Sequence, residues 1–443
     1  EQLHLRLPDP NAEILSLDVA GATLAMNDEE NLYRIYRFEE PLAPGATGEF
    51  TFTPRRWQQG LRAQGDDTRL VRNGTFLNNS EFMPQIGMDR SGLLQDRAPR
   101  RKYGLPSELR QAKLEDESAR NRNYVGNAPW VTSDITVSTV ADQTPIAPGD
   151  RVADEVEGDR RVARFVAEQP ILGFFSIQSA DYEVARREHD GTTLEIYHHP
   201  THDFNVERML DAMEASLDYY EANFGPYQFD YARIIEFPGY ASFAQAFAGT
   251  IPFSERIGFI ADNGDAEAID YVTYVTAHEL GHQYWAHQLI SADQQGGTML
   301  VETMAQYSAL MVMKDLYGED NIRRFLKYEL DNYLSARGSE AIEELPLERV
   351  ENQGYIHYRK GAVAMYLLQD RLGEDRVNAM LSDLLERYRF KGAPFANSRD
   401  LVGGFASLAR NERERDLVED LLRRITLYDL KAEEAVVREM DDG

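Results

Sequence analysis

The 443-residue chain has no cysteine, which excludes disulfides and thiolate metal sites and leaves its redox compartment unread. It has no apolar run near the ~20 residues needed to cross a bilayer, so no direct membrane insertion is expected from this segment. Positive charge is short too: 47 Lys and Arg face 75 Asp and Glu, lysine is the scarcer base, and the net charge is -28. Such a surface repels nucleic acid and anionic headgroups, so nucleic acid is not an expected partner. A solubilising acidic coat is the plain explanation of the charge. Internal repeats and low-complexity tracts are lacking. With 42% hydrophobic residues the chain is globular and long enough for two or three cores. It opens on Glu1 rather than methionine, which reads as an excised or processed segment.

Histidine is also scarce, 9 in all, and that makes its clustering informative. In His278-Glu279-Leu280-Gly281-His282, two histidines four apart share one helix face and can reach one ion. With Glu302 they make three N/O ligands and leave a fourth position open, the arrangement of a catalytic zinc, one per chain. Glu279 stands beside that open position and can take a proton from water. A chance H-E-x-x-H occurs in roughly one such chain in a hundred, so its surroundings have to support it.

They do. Apolar residues at 268, 269, 272 and 275 have helical spacing, Asp265 is the expected N-cap, and the helix is expected to run to about His287 or Leu289. Residues 291–297 read as a connecting loop. A second helix is expected over Thr298–Leu316, burying Leu300, Met304, Tyr307, Leu310 and Met311. Two antiparallel helices joined by a short loop bring Glu302 beside His282. The competing reading is a core helix whose histidines are merely hydrogen-bonded.

The first ~200 residues alternate in the β manner at Leu3/Leu5/Leu7, Phe50/Phe52, Ile135/Val137 and Leu194/Ile196. Residues 91–122 read as a polar excursion from this β region, with Arg97, Arg100, Arg101 and Lys102 in an exposed loop. After Pro200, Phe204, Val206, Leu210, Met213, Leu217 and Tyr220 mark a helix ending at Gly225-Pro226, followed by a strand over Ala232–Phe237. The apolar stretch Phe243–Phe253 reads as an edge strand able to pair with an extended substrate, or equally as a buried core strand. His287 is expected to be exposed at a helix end. His198, His199 and His202 are expected at a solvated junction rather than in a second metal cluster. Ala435-Val436-Val437 resembles a strand cut off at a turn, an expectation that the natural protein continues.

A β-rich half followed by H-E-x-x-H and a distant Glu resembles the gluzincin peptidases, most closely the aminopeptidase N family. Asn223-Phe224-Gly225-Pro226-Tyr227 resembles that family's segment before the central strand. Glu302-Thr303-Met304-Ala305-Gln306-Tyr307 agrees with Asn-Glu-Gly-Phe-Ala-x-Tyr at the Glu, Ala and Tyr. Tyr358-Arg359-Lys360-Gly361 is similar to the family's Tyr-x-Lys-Gly, whose tyrosine stabilises the transition state. The resemblance implies an α+β fold: a β-rich N-terminal domain (1–199), then a thermolysin-like, mostly α-helical zinc peptidase domain (200–443). It implies aminopeptidase-type cleavage of a peptide substrate, with Glu279 as base and Tyr358 as oxyanion donor.

The chain departs from the family in places. Gln283 to Val301 makes 19 residues between the second His and the Glu, one more than usual in that family, which the Gly296-Gly297 loop can absorb. The count also suits the thermolysin-like branch, but its Asp four residues past the ligand Glu is Gln306 here, and it lacks Tyr-x-Lys-Gly. His357 would be the oxyanion donor in that branch; neighbours on a helix point about 100° apart, so only one of His357 and Tyr358 is expected to face the metal. The family's Gly-Ala-Met-Glu-Asn, which binds the substrate's free amine, is replaced by Phe243-Ala244-Gln245-Ala246-Phe247-Ala248-Gly249. Gln245, Ala246 and Gly249 are then the substrate-binding candidates, and amine recognition is expected to be weak. Two other readings stay open: a zinc peptidase without strict N-terminal specificity, and a non-catalytic extracytoplasmic binding module. The intact Glu279 and Tyr358 speak against the second. This variant stretch, with HELGHQYWAHQLI, resembles the aminopeptidase-like domains fused to ABC-transporter permease-type membrane proteins. That implies a longer bacterial parent with transmembrane segments and an extracytoplasmic location, a cytoplasmic one remaining open.

Overall fold

A computed structural model describes residues 1–8, 12–57, 69–88, 90–126, 128–265, 268–340 and 343–426. The expected strand at Ala435–Val437 lies outside them. In the N-terminal region alternation builds antiparallel sheets. Gln2–Arg6 pairs with Tyr33–Phe38 on one side and Gln85–Ile86 on the other, while Ala12–Val19 pairs with Phe50–Arg56. Leu5, Val19 and Tyr36 form a small core there. Asp150–Glu157, Arg160–Leu172 and Trp130–Val140 make a three-stranded sheet whose inner face carries Ala163 and Phe165 against Ile135 and Val137, as the sequence alternation requires.

The polar excursion does not stay with the β region. It runs along the helical part and is strapped to it by Arg110 Nε to Glu351 (2.8 Å), Arg120 Nη2 to Asp400 (2.8 Å) and Tyr124 N to the Ser291 carbonyl (2.8 Å). The basic patch is not a loop either: Arg97–Lys102 is a short helix, α1. Arg100 is buried, donating to the carbonyls of Pro106 (2.7 Å) and Leu94 (2.8 Å), because its guanidinium satisfies a turn that would otherwise bury bare carbonyls.

A mixed sheet supports the helical region. Glu183–His189 pairs antiparallel with Thr192–His198, which pairs parallel with Tyr231–Phe237, which pairs parallel with Thr250–Ser254. The expected domain boundary after 199 therefore falls inside one sheet. Against it packs α2 (Val206–Phe224), whose Met209, Leu210, Met213, Leu217, Tyr220 and Phe224 recur every three or four residues and are all buried. Phe204, expected on that face, precedes the helix and is 75% exposed. Next come α3 (Tyr271–Gly281), α4 (Met304–Tyr317), α5 (Glu319–Arg337), α6 (Gly361–Leu372), α7 (Glu374–Tyr388), α8 (Ser398–Leu408) and α9 (Glu412–Val418). They share one large core in which Leu300, Met304, Tyr307, Leu310 and Met311 are buried as expected. The α3 helix starts later than expected. Its N-cap is Asp270, whose carboxylate accepts from Thr273 N at 3.1 Å; Asp265 lies outside the helix.

Candidate active site

The site is built where α3 and α4 cross. Nine of the eleven residues of α3 are buried, so this is a central helix with no solvent face to speak of. Gly281 allows the approach: a Cβ there would lie 3.2 Å from the Ala305 Cα. His278 and His282 stack at 4.6 Å between ring centroids, nearly perpendicular. Glu302 comes from a π-helical turn, Met299–Thr303, that leads into α4. Its Oε2 is 3.6 Å from His278 Nε2 and 3.3 Å from His282 Nε2. Ligand atoms about 2.0–2.1 Å from one tetrahedral ion stand about 3.3 Å from each other, so these separations suit zinc. Glu302 Oε2 is buried and has no hydrogen-bond partner among the described residues. His282 Nδ1 donates to the Trp285 carbonyl (3.3 Å), which turns the Nε2 lone pair toward Glu302. The donor set fits a zinc ion.

Charges are coupled tightly here. Burial acts to raise Glu302, but the two imidazoles hold its carboxyl well below the usual range. Burial opposes the charge on His282, and Glu302 outweighs it, pushing that imidazole up to about 9. His278 is lowered, mainly by burial. Glu279 is raised to about 7, first by burial, with the neighbouring Glu302 charge adding to it and His282 and the Ala246 N–H opposing.

Of the two candidate oxyanion donors, Tyr358 faces the trio. Its ring lies 5.7 Å from that of His278, and burial followed by the Glu302 charge drives its hydroxyl pKa upward. His357 is buried beside it and lowered to about 4 by that burial. Both sit in a second π-helical turn, Tyr355–Lys360. This turn touches the first one directly, through Thr303 Oγ1 donating to the His357 carbonyl at 2.6 Å. Gly361 cannot carry a side chain because a Cβ would lie 2.6 Å from Thr303 Cγ2.

After Gly281 the metal helix loosens into turns instead of continuing to His287. Its side chains grip the Phe243–Gly249 stretch. Gln283 donates to the Phe247 carbonyl (3.0 Å) and accepts from Gly249 N (2.9 Å). His287, expected to be exposed, is 2% exposed and shares a 3.1 Å hydrogen bond with the Ala246 carbonyl. The stretch Phe243–Phe253 is not one strand but two arms, with Gln245 N bonded to Pro252 O (3.0 Å) and Phe247 N to Thr250 O (2.8 Å). Its first arm covers the edge of Thr250–Ser254. Ala246 and Gly249 are thus brought to the segment that carries the histidines, with a backbone hydrogen bond from Ala246 to Glu279, whereas the hydrogen bonds of Gln245 among the described residues stay within its own hairpin.

Sequence reasoning missed Tyr124, which the strapped excursion carries close enough for Glu302 to raise its pKa after burial does. No motif marks it. The histidine junction, expected to be solvated, is in part enclosed. His198 is buried, and His202, Glu236 and Glu255 cluster. That cluster is closed by its own hydrogen bonds: His202 Nδ1 to Glu236 Oε1 (2.5 Å), His199 N to Glu236 Oε2 (2.6 Å) and Gly239 N to Glu255 Oε1 (2.8 Å).

Residues 208–415 match the Peptidase family M1 domain. Endoplasmic reticulum aminopeptidase 2 of Homo sapiens is 28% identical over 212 residues, 46% of this chain and 22% of that protein. Probable aminopeptidase 1 of Sulfurisphaera tokodaii is 26% identical over 192 residues, 42% of this chain and 24% of that protein. The chain spans between 22% and 33% of the length of these and a Candida albicans relative, Aminopeptidase 2. Among solved structures, the M1 zinc metallopeptidase of Deinococcus radiodurans shares the two-part fold, with a TM-score of 0.63 at 15% identity over 96% of this chain and 87% of that one. A point variant of that enzyme bound to a Tyr-Ser-Ala substrate gives a TM-score of 0.60, at 15% identity and over the same shares of the two chains.

Proposed function

We propose that this chain is a zinc-dependent M1 peptidase that removes residues from peptide N-termini, with weakened recognition of the free amine. The observation that carries the reading is the convergence of His278, His282, Glu302, Glu279 and Tyr358 on one point, all within residues 208–415, the stretch that matches the M1 domain. His278 Nε2, His282 Nε2 and Glu302 would hold the ion, in keeping with three N/O donors and no cysteine. When bound, zinc supplies a Lewis acid that polarises the scissile carbonyl and acidifies water. Glu279, poised at about 7, accepts the water proton and delivers it to the leaving amine. The Ala246 N–H keeps that carboxylate in place. The Tyr358 hydroxyl, kept protonated by burial and by Glu302, donates to the developing oxyanion.

Weak amine selection follows from the residues around Ala246. Residues 243–249 carry no carboxylate, and the nearby acids are engaged, Glu236 by His199 N and His202 and Glu255 by Gly239 N. A charged hydrogen bond to a buried ammonium contributes about 1.5–3 kcal/mol, roughly a 10–100-fold preference over a blocked N-terminus. The deciding measurement is kcat/KM for one peptide with a free and an N-acetylated terminus. The expected ratio is below about a hundredfold; a much larger one would restore strict aminopeptidase specificity.

The variant Phe243–Gly249 stretch also supports a place for the chain in a longer, membrane-anchored parent. No described helix is long and apolar enough to cross a membrane, so anchoring would come from other segments of that parent. Fractionation of the natural protein tests this; recovery wholly in the aqueous fraction would refute it.

A further inference from the structure

Among the described residues Glu329 is the most deeply buried carboxylate: it is 0% exposed, on α5, a helix that contributes no residue to the site. A carboxylate so placed is strongly disfavoured unless donors surround it. They do. Glu329 Oε1 accepts from Tyr274 Oη (3.0 Å) and Gln306 Nε2 (3.0 Å), and Arg359 Nη1 reaches its two oxygens at 3.2 and 3.1 Å. Gln306 Nε2 also donates to Tyr274 Oη at 2.8 Å.

The three donors come from three different elements, and each stands in a fixed relation to the site. Tyr274 lies one turn before His278 on α3. Gln306 lies one turn after Glu302 on α4. Arg359 directly follows Tyr358. Apolar packing of α3 against α4 resists separation but has little direction, so it tolerates small rotations of either helix. Directional bonds to one rigid carboxylate do not. Metal and catalytic groups must be held within about 0.5 Å and 10–20° of their working geometry, a tolerance that directional bonds enforce better than apolar packing.

We infer that Glu329 is a positioning residue: it locks the histidine helix, the Glu302 helix and the Tyr358 turn into one register without touching substrate or metal. This rests on the peptidase reading above. The alternative is a satisfied buried ion pair that serves stability alone.

Two variants separate them, made in the full chain: Glu329→Gln, which keeps the shape and removes the charge, and Tyr274→Phe, which removes the bond to α3. Zinc dissociation constants are measured by competition with a chromophoric chelator. At saturating zinc, kcat and KM are measured separately on a short peptide, and Tm is recorded on zinc-free protein. For Glu329→Gln, zinc affinity and kcat are expected to fall about 10–100-fold each with KM changed less than about threefold; for Tyr274→Phe, about 3–10-fold. A folded variant with lowered Tm but wild-type zinc affinity and kcat would overturn the inference and leave Glu329 a stabilising residue. If Glu329→Gln does not fold, Tyr274→Phe decides by the same two readouts. Wild-type protein that fails to bind zinc in this competition overturns the peptidase reading itself, whereas wild-type binding with unperturbed variants overturns only the role of Glu329.

Discussion

Two clusters in this molecule are made of the same chemistry, histidine and glutamate, and they differ in what those groups do with each other. Around His278, His282 and Glu302 the facing atoms stand 3.3 and 3.6 Å apart, and the Glu302 oxygen aimed at both imidazoles has no hydrogen-bond partner among the described residues. Around His202, Glu236 and Glu255 the closest pair is a 2.5 Å hydrogen bond, and backbone N–H groups of His199 and Gly239 take up further carboxylate oxygens. Residue type alone therefore does not make a metal site. Lone pairs left unsatisfied at the right separation do, because a buried polar atom without a partner is destabilising unless an ion or proton meets it.

The largest effect that would test this contrast is Glu279→Gln, which leaves all three ligands and removes only the base. Turnover should fall by about three to four decades while zinc content stays at one per chain, read by metal analysis beside peptide hydrolysis. Retained turnover would move the chemistry away from this cluster. Tyr358→Phe should come next, lowering kcat about 10²–10³-fold with little change in KM. Were His357→Gln to do that and Tyr358→Phe not, the oxyanion donor would be His357.

A third prediction concerns His287, a buried histidine that hydrogen-bonds the Ala246 carbonyl. Burial lowers it to about 4 from its ordinary 6.5. Above pH 6.5 neither folded nor unfolded chain carries this proton. Between 6.5 and 4 only the unfolded chain binds it, so stability falls as the pH falls, by up to about 1.4 kcal/mol per pH unit. Urea unfolding of His287→Gln should show a shallower acid loss than wild type; equal slopes would mean that His287 is protonated in the fold. The smallest expected effect is at the second cluster. His202→Ala should leave zinc stoichiometry unchanged and kcat within about threefold. A drop in bound metal there would erase the contrast.

The convergence of His278, His282 and Glu302 was legible because a helix converts residue spacing directly into direction, and a short loop returns the second helix beside the first. Tyr358 was reached through a family resemblance, since a half-buried tyrosine carries no local mark. What spacing could not give was side-chain commitment across the fold. Nothing around His287 says that it will meet the Ala246 carbonyl, and nothing around Tyr124 says that a polar excursion will be strapped across to Ser291. Glu329 carries no local mark in the sequence, and its burial is set by three partners far away in sequence. The start of α3 was misplaced for a local reason: Asp265 and Asp270 are both able caps, and only Asp270 has Thr273 three residues on to donate from both its N–H and its hydroxyl.

Glu302 and Tyr358 each sit in a π-helical turn, and the two turns touch. Such a turn accommodates one residue more than an α-helical turn while the flanking helix keeps its place. Sequences that carry an extra residue ahead of the third ligand can therefore share the same spatial site with sequences that lack it. A search that fixes the gap after the second histidine would discard such relatives, and an alignment scored by counting would overstate their divergence. The converse holds for deletion: dropping one residue from Met299–Val301 would rewind the π-helical turn into an α-helical one and leave Glu302 facing the histidines. Insertions and deletions in this stretch should thus be read as changes of winding, to be sorted by where the carboxylate ends up.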